Sequence, residues 1–532
     1  MSRKSARVPQ AKRSDLLLIL LALGVLVFAV FLPTLHSQFV YDAQAEIGLW
    51  AWLHDPHNIL TAVSFRLMSL DVLDFNRPVA VAWLMYNSML WGHDPFGYHL
   101  DSILLHIAVT SLVFVFIRHL LDHGAPHGDP ARRNSAAFFA TLLFALHPLV
   151  TEAVCEPANC KDLLATLFGV AALLLATRHR PGFGPGDPAR MLLCPFLCLL
   201  SIGSKELGVA FPAVLLAYWF LFRRREPAMF WLAIIGGGAT VDILFLIARF
   251  SLEHHPSVIF LHPPTYPGGT LWYTQVFIQP RIFALYLVNL FWPLYLCADY
   301  NGYSIRYLPL WLSVPLVLLA VAGLVWFSRR DRRAFFASAF IVATLLPVAN
   351  LVPIFRAAAD RFLYAPLIGV MILAALALDS RWLAGNRLRR RITSLTVVVV
   401  LALLLPVTLR REHVWSAEIP LWQDTFARNP ASFAAQVGLP EALFRAGRYE
   451  EARKQSEVAL HMEQEKWPWT WFDYALELEK LGDHAGAERA ARQAIRLKPD
   501  ITDAAKMSDT LQESASLVRE FDQIAARLPA TH

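Results

Sequence analysis

The amino-acid sequence predicts an all-α protein, a polytopic bundle of transmembrane helices followed by a small α-helical repeat domain. Apolar residues make up 56% of the 532 positions, whereas soluble domains average about 45–50%. Charged residues make up only 17%, against about 25% in soluble domains. The third observation is positional, because long apolar runs fill the chain up to residue 410 and a charge-rich pattern begins at Trp415.

The first element is a basic N-terminus followed by an apolar run. Residues 1–13 carry several Lys and Arg and no acid, and Leu16 to Leu32 is an uninterrupted apolar run of 17 residues. A secretory signal peptide has a shorter apolar core and a small-residue cleavage site. We therefore expect a cytoplasmic N-terminus and a retained first transmembrane helix.

The membrane domain is predicted to extend from residue 14 to 410, with about 11–13 spans in all. The further candidate spans are 99–117, 136–153, 162–177, 190–203, 206–222, 229–250, 280–297, 309–327, 334–353, 362–379 and 392–410.

Clusters of Lys and Arg predict the orientation, because short cytoplasmic loops are rich in basic residues. Most consecutive clusters are separated by two candidate spans, but three lie between Arg225 and Arg329. Either 280–297 is irregular at Trp292-Pro293, or the stretch 257–279 also enters the membrane.

This orientation places one long loop, three connectors and the C-terminal region outside the cytoplasm. The loop 35–98 carries six acids and two basic residues. Within it, Pro78 to Gly92 is apolar but too short to span, which favours an interfacial position. Short loops and isolated cysteines favour a bacterial inner membrane, with the C-terminal domain in the periplasm. The segments concerned are 35–98, 154–161, 204–206, 354–361 and everything after 410.

Two segments of the C-terminal domain, predicted at 415–527, align with an offset of 35 residues. They are GRYEEARKQSEVAL at 447–460 and GDHAGAERAARQAI at 482–495. Small residues recur at equal spacing, as in tetratricopeptide repeats, whose period is about 34 residues. An ordinary helical hairpin is the alternative. Helices near 416–428 and 501–527 are expected to cap the pair. The matched residues are Gly447, Ala452 and Ala459 in the first unit, and Gly482, Ala487 and Ala494 in the second.

Cysteine spacing and charge distribution exclude several classes of protein. Five cysteines do not form a disulfide framework, although Cys155 and Cys160 could pair if their connector folds back. No Cys/His spacing resembles a zinc site. The net charge of +6 comes largely from Lys and Arg beside apolar runs, so it indicates membrane topology and not a nucleic-acid partner.

Charged residues recur at the predicted outer ends of the spans. Each one alone is equally well explained as an anchor whose long side chain reaches water. Together at one rim they suit a reaction with a phosphate leaving group, in which an acid activates a nucleophile and cations hold the anion. The candidates are Asp42 and Glu46, Arg77, His147 and Glu152, Lys161, Lys205, and Arg356 with Asp360-Arg361.

The order of these motifs resembles a known family. The chain contains FVYD, NRPV, YNSMLWGHDPFGYHLDSILLHI, FALHPLVTEAV, CKDLLATLF, SKELGVAFP, LLPVANLVP and DRFLYAPLIGV, followed by the repeats. From about 14 to 500 it resembles the GT-C glycosyltransferases of the TMTC type, which are polytopic relatives of the protein O-mannosyltransferases.

The resemblance implies inverting transfer of a sugar from a polyprenyl- or dolichyl-phosphate carrier to a hydroxyl acceptor. An acid in the first external loop serves as the base, which corresponds to Asp42. The acceptor is expected to be a protein or peptide held by the repeats. No cofactor is implied, and a divalent metal is compatible with the site but not required. The other expected roles are phosphate binding by Arg77, Lys161, Lys205 and Arg361, and support of the base by Glu46, His147 and Glu152.

Three motifs depart from the family pattern. Relatives typically show two adjacent acids where this chain has Asp42-Ala43. Glu46 either substitutes for the second acid or is a solvated loop acid, and the second interpretation is favoured. Cys160 stands where Arg is common, and Lys161 could supply that cation. The pattern Glu-Arg-Tyr-Leu-Tyr appears as DRFLY at 360–364, which keeps the arginine.

Other functions are weighed against this one. A GT-C transferase could act on a lipid or glycan acceptor, and a non-catalytic scaffold could display the repeats. A scaffold does not need the ring of acids and cations. A transporter would favour charges near the middle of the membrane and inverted repeats, and the sequence has neither pattern.

Overall fold

The computed structural model is built of helices and turns throughout the part that it describes. It describes residues 13–528 except 50, 65, 68–75, 124–128, 180–183, 185, 227, 253–270, 301–307, 352–353, 355, 381–386, 463–466 and 502–514. Within these residues there is no β-strand, so the predicted all-α class is confirmed for them. The basic N-terminus up to residue 12 lies outside the described residues.

The membrane part consists of helices that follow the predicted apolar runs. Their bounds are α1 Arg13–Val30, α2 Pro78–Trp91, α3 Pro95–His123, α4 Pro130–Ala145, α5 Thr151–Cys155, α6 Cys160–Thr177, α7 Asp187–Ser204, α8 Ala210–Tyr218, α9 Ala228–Leu252, α10 Gln279–Phe291, α11 Leu310–Ser328, α12 Arg332–Leu345, α13 Tyr364–Leu378 and α14 Arg387–Val414.

The chain is an all-helical, multi-pass membrane protein. Eight helices in the described residues are long and apolar enough to cross a membrane, and the bent pair of α4 and α5 makes up to nine. The expected 11–13 was too high for helices of full length. Three predicted spans fall short of it, because α1 is marginal in length and α10 and α12 have only 13 and 14 residues.

The odd number of candidate spans between Arg225 and Arg329 is explained by α10, which is shorter than a full span. This helix ends at Phe291, directly before the Trp292-Pro293 pair, because proline cannot continue a helical hydrogen-bond ladder. Two full-length candidates, α9 and α11, therefore remain in the interval. Most of the alternative stretch, 257–270, lies outside the described residues.

Two prolines shape the connector between α4 and α6. Helix α4 ends at Ala145, and the chain bends by 51° before Pro148–Cys155. Pro148 and Pro157 each begin a short 3₁₀ turn, where a missing N–H costs little. The connector therefore stays compact and buried.

Basic residues that flank α3, α4 and α12, which the orientation predicts to be cytoplasmic, come together at one end of the bundle. Arg118 and Arg133 both pair with Asp122, and Arg333 donates to the Leu121 carbonyl. Arg132 pairs with Asp379 at 2.7 Å. The candidate site residues Asp42, Glu152 and Arg361 contact one another elsewhere, so the two groups of charges are separate.

After the last membrane helix the chain forms a series of shorter helices, each packed against its neighbour. They are α15 Glu418–Arg428, α16 Phe433–Arg445, α17 Tyr449–His461, α18 Pro468–Lys480, α19 His484–Leu497 and α20 Ala515–Ala525.

The aligned small residues occupy equivalent places in this series. Gly447 and Gly482 follow α16 and α18 with φ of +72° and +82°, a left-handed conformation that glycine adopts without strain. The four matched alanines, Ala452, Ala459, Ala487 and Ala494, are all buried. The 35-residue offset in the sequence is therefore a repeat in the structure.

All five cysteines are buried and free, so Cys155 and Cys160 do not form a disulfide. Instead, Cys155 Sγ lies 3.6 Å from Thr34 Oγ1. Cys160 begins α6 with its side chain buried. The two cysteines are close in sequence because one ends α5 and the other begins α6, and each packs into the core separately.

Replacing the buried Ala487 by leucine should destabilise the C-terminal helices by about 1–3 kcal/mol, because the added atoms have no space. Ala485 lies exposed on the same helix, so Ala485→Leu should change stability by less than about 0.5 kcal/mol. Thermal unfolding of both full-length variants in detergent measures the difference. Equal midpoints would contradict the close packing at Ala487.

Candidate active site

Asp42 lies in a turn whose backbone is held in an uncommon conformation. Tyr41 has φ of +57°, a left-handed value that costs a non-glycine residue free energy. The Tyr41 hydroxyl donates to the Ala298 carbonyl at 3.0 Å, and its ring packs against Trp415 and Trp422. These contacts fix the turn and leave the Asp42 side chain 20% exposed.

Two arginines face the Asp42 carboxylate. Arg356 Nη2 donates to Asp42 Oδ1 at 3.0 Å, and Arg361 Nη2 lies 4.0 Å from Asp42 Oδ2. The Arg356 guanidinium also stacks 4.3 Å from the centre of the Tyr41 ring. Sequence reasoning put Arg356 in the ring of charges but gave it no role.

Glu152 holds Arg361 in place. Its carboxylate accepts hydrogen bonds from the Arg361 backbone N–H at 2.9 Å and from Arg361 Nη1. Both side chains are buried, where removing one partner of an ion pair is strongly destabilising. Beside them, Asp360 accepts a hydrogen bond from the Tyr300 hydroxyl at 2.6 Å. The start of α13 is thus tied to the α4–α6 connector.

Glu46 is not the solvated loop acid that the sequence favoured. Its side chain is only 12% exposed and accepts from Lys161 Nζ at 3.0 and 3.2 Å. The pairing joins residues 115 positions apart, which a local pattern cannot show. Lys161, placed beside Cys160 at the start of α6, therefore contacts the loop 35–98 directly.

Sequence reasoning missed Glu156. Its Oε1 accepts from the Ala43 backbone N–H at 2.6 Å, and its Oε2 accepts from the Asn159 backbone N–H at 2.9 Å. The side chain is fully buried. Burial, and then the charges of Asp42 and Glu46, raise the pKa of Glu156 well above its usual range. The only sequence signal was an acid inside a connector already flanked by candidate residues.

Two further predicted cations are bound in ion pairs, of which the Lys205 pair is buried and the Arg77 pair is partly exposed. Lys205 Nζ donates to both oxygens of Asp162 at 2.6 and 2.7 Å. Burial lowers the pKa of Lys205 to about 8, although Asp162 acts in the opposite direction. Arg77 contacts Glu206 at 3.0 Å, and Arg249 binds the same carboxylate.

His147 does not join this group. Its Nδ1 accepts from the Leu149 backbone N–H at 3.2 Å, so the ring proton lies on Nε2, which donates to the Leu290 carbonyl at 3.0 Å. Both ring nitrogens are therefore used by the backbone. The residue caps the 3₁₀ turn that begins at Pro148.

The arrangement combines a partly exposed carboxylate with cations that can hold an anion. Over the described ranges, no group of three or more His, Cys, Asp and Glu side chains is arranged to hold a metal ion. A cavity of about 300 Å³ lies between α4, α13 and α14 and is lined by Asp129, Arg132 and Thr393. It belongs to the end of the bundle where Arg132 pairs with Asp379, not to the Asp42 cluster.

Comparison with known proteins gives distant relatives of one kind. The chain is 26% identical over 456 residues to Protein O-mannosyl-transferase F38B6.6 of Caenorhabditis elegans, covering 82% of this chain and 61% of that protein. It is 24% identical to Protein O-mannosyl-transferase Tmtc3 of Drosophila melanogaster, covering 80% and 52% respectively. The chain is thus similar to protein O-mannosyl-transferases along most of its length.

The similarity has limits. The chain spans about 61% and 52% of the length of these two relatives. A 31% identity to Protein O-mannosyl-transferase TMTC2 of Mus musculus covers only 38% of this chain and 24% of that protein. No family model matches the chain.

One solved structure is similar over much of the chain. It is ArnT from Cupriavidus metallidurans bound to undecaprenyl phosphate, with 15% identity and a TM-score of 0.42, covering 93% of this chain and 81% of that one. This score is too low to define the fold or the ligand of the present chain.

Replacing Lys205 by methionine should destabilise the protein by roughly 3–5 kcal/mol, because it leaves the Asp162 carboxylate buried without its cation. Adding Asp162→Asn should recover part of the loss. Arg448 and Glu451 form an exposed pair, so Arg448→Met should cost less than about 1 kcal/mol. Thermal unfolding in detergent compares them, and an equal loss in both single variants would contradict the role of burial.

Proposed function

We propose that this chain is a GT-C type membrane glycosyltransferase. It moves a sugar from a polyprenyl- or dolichyl-phosphate carrier to a hydroxyl acceptor on the extracytoplasmic face, with inversion. The observation that carries the proposal is the Asp42 carboxylate, which is partly exposed and faces Arg356 and Arg361. The similarity to protein O-mannosyl-transferases over 82% of the chain supports it.

In this proposal Asp42 is the general base. It accepts the proton of the acceptor hydroxyl while that oxygen bonds to the anomeric carbon of the sugar. The bond between the anomeric carbon and the carrier phosphate breaks, and its electron pair stays on the phosphate oxygen. The guanidinium groups of Arg356 and Arg361 stabilise the charge that develops there.

The ion pairs of the free protein favour a binding order. Arg356 donates to Asp42 at 3.0 Å, so a carrier phosphate competes with Asp42 for this guanidinium. Once the arginine turns to the phosphate, Asp42 loses a stabilising partner and becomes a stronger base. Donor binding therefore activates the base for the acceptor.

The remaining predicted residues take supporting roles. Lys161 and Lys205 each contact a carboxylate, Glu46 and Asp162 respectively, and Arg77 contacts Glu206. We assign the three cations to the positive field around the phosphate, not to direct binding.

Two residues from the connector differ in their roles. Glu152 positions Arg361, because its carboxylate accepts hydrogen bonds from the Arg361 backbone N–H and from the Arg361 guanidinium. His147 has no part in the reaction, because both of its ring nitrogens are bound to the backbone.

We propose further that residues 415–527 form a tetratricopeptide-like domain that presents a protein or peptide acceptor. Stacked helical pairs form concave binding surfaces. Tyr41, next to the proposed base, packs on Trp415 and Trp422, so the domain begins beside the reacting groups. In this proposal α1 and α12 join the candidate spans, up to nine, to give about 11 crossings, α10 does not cross the membrane, and the base lies on the periplasmic side of a bacterial inner membrane.

A non-catalytic scaffold is the second candidate, favoured by the missing acid at Ala43. The transfer assay that tests Asp42 also distinguishes a lipid or glycan acceptor from a protein acceptor.

Asp42→Asn should abolish transfer, since an amide cannot accept the acceptor proton at neutral pH. Membranes containing each variant receive polyprenyl-phosphate-linked labelled sugars, and labelled lipid and protein products are separated. Asp55→Asn is the control, because Asp55 lies in the same loop with an exposed carboxylate. Activity in both variants would exclude Asp42 as the base, and no wild-type label with any donor would favour the scaffold.

Arg356→Gln should lower kcat/KM for the carrier-linked sugar by about 10²-fold, because it removes a cation from the developing phosphate charge. It should also weaken inhibition by free polyprenyl phosphate. Arg333→Gln removes an arginine paired with Asp331, at the end of the bundle where Arg333 meets Leu121, and should leave both measurements unchanged. Unaltered inhibition in Arg356→Gln would contradict phosphate binding there.

A further inference from the structure

Glu156 is the one buried carboxylate of the α4–α6 connector that bonds directly to the turn carrying Asp42, as far as the described residues extend. It lies between α5 and α6, far from Ala43 in sequence. Its Oε1 accepts a hydrogen bond from the Ala43 backbone N–H at 2.6 Å. A buried carboxylate from a second segment thus binds the backbone directly after Asp42.

The two oxygens of Glu156 connect two stretches of backbone. One accepts from Ala43 and the other from the Asn159 N–H at 2.9 Å. Asn159 in turn donates from Nδ2 to the Glu152 carbonyl, and the Glu152 carboxylate holds Arg361. One short network therefore positions both the carboxylate and the guanidinium that face each other.

The turn requires such a restraint. Tyr41 has a left-handed backbone, a conformation that persists only where the surroundings impose it. The Tyr41 side chain is held by Ala298 and two tryptophans, and the hydrogen bond to Glu156 holds the backbone on the other side of Asp42. Asp42 is thus fixed from both of its neighbours.

Charged groups surround Glu156 on several elements. Asp42 and Glu46 lie on the first loop and carry the same charge, whereas Lys161 on α6 carries the opposite one. Arg361, at the start of α13, also interacts with Glu156. Burial is the largest influence on Glu156 and disfavours its charged form.

We propose that Glu156 is a positioning residue that holds the Tyr41–Ala43 turn so that Asp42 faces Arg356 and Arg361. This inference rests on the proposed transferase function. Glu156 acts through the backbone of residue 43 and does not contact the sugar. Its carboxylate is a better acceptor for the Ala43 N–H than the protonated acid is.

The consequence is that two groups, Asp42 and Glu156, contribute to the fall of kcat at low pH, which is the acid limb of the pH profile. Activity falls when Asp42 takes up a proton, because the base is lost. It also falls when Glu156 takes up a proton, because the hydrogen bond from the Ala43 N–H to Glu156 weakens. Burial, together with the charge of Asp42, raises the pKa of Glu156 well above its usual range, so proton uptake by Glu156 adds a step of its own to the acid limb, and the two groups interact.

Glu156→Gln tests this with nearly unchanged shape. Glutamine retains one acceptor oxygen but cannot ionise. We expect the Glu156 step of the acid limb to vanish and the plateau kcat to fall about 10-fold, with KM for the donor within about twofold of wild type. Glu156→Ala removes both acceptors and should lower kcat by about 10²-fold.

Glu412→Gln is the matched control. Glu412 is also buried and also accepts a backbone N–H, from Thr34 at 2.9 Å, together with the Thr34 hydroxyl at 2.5 Å. A general loss of stability would affect both glutamine variants. Only Glu156→Gln should alter the shape of the pH profile.

The outcomes separate this inference from the proposed function. If wild type transfers sugar in an Asp42-dependent manner and Glu156→Gln keeps both the wild-type kcat and the two-step limb, the positioning role is wrong and the transferase stands. If wild type shows no Asp42-dependent transfer, the transferase proposal itself fails. An equal change of profile in Glu412→Gln would also overturn the inference.

Discussion

The rest of the structure depends on bringing the Asp42 carboxylate and two guanidinium groups together at one end of a membrane bundle. The residues involved are 314 positions apart in the chain, so the whole bundle must fold before the contact exists. Desolvating these charges is costly unless each one finds a partner. The pairs Lys161–Glu46, Lys205–Asp162 and Arg361–Glu152 meet this need.

This constraint explains the irregular segments around the site. A regular helix brings only residues three or four positions apart onto one face, whereas the site requires charges from the first loop, the α4–α6 connector and the start of α13 to converge. The chain achieves this with short 3₁₀ turns that begin at Pro148 and Pro157. The Tyr41 turn adds a left-handed residue, and the hydrogen bonds of buried carboxylates offset its strain.

Much of the fold followed from the sequence because its signals are local. Apolar runs gave the membrane helices, and the spacing of Gly447 and Gly482 gave the repeated C-terminal pairs. The span predicted at 280–297 was too long, because α10 ends at Phe291, directly before Trp292-Pro293. The candidate residues were found as a group, but the pairings of Glu46, Glu156 and Arg356 depend on contacts between distant segments, which no local pattern records.

A backbone contact beside the site has a consequence for modularity. The Gln38 N–H donates to the Ser416 carbonyl at 2.9 Å, so the point where the chain leaves its first helix adjoins the point where it leaves its last membrane helix. The segments that follow the first and the last membrane helix are therefore neighbours in the structure. A change of the C-terminal helices at this junction would also reach the charged cluster, because Trp415 and Trp422 support Tyr41 beside Asp42.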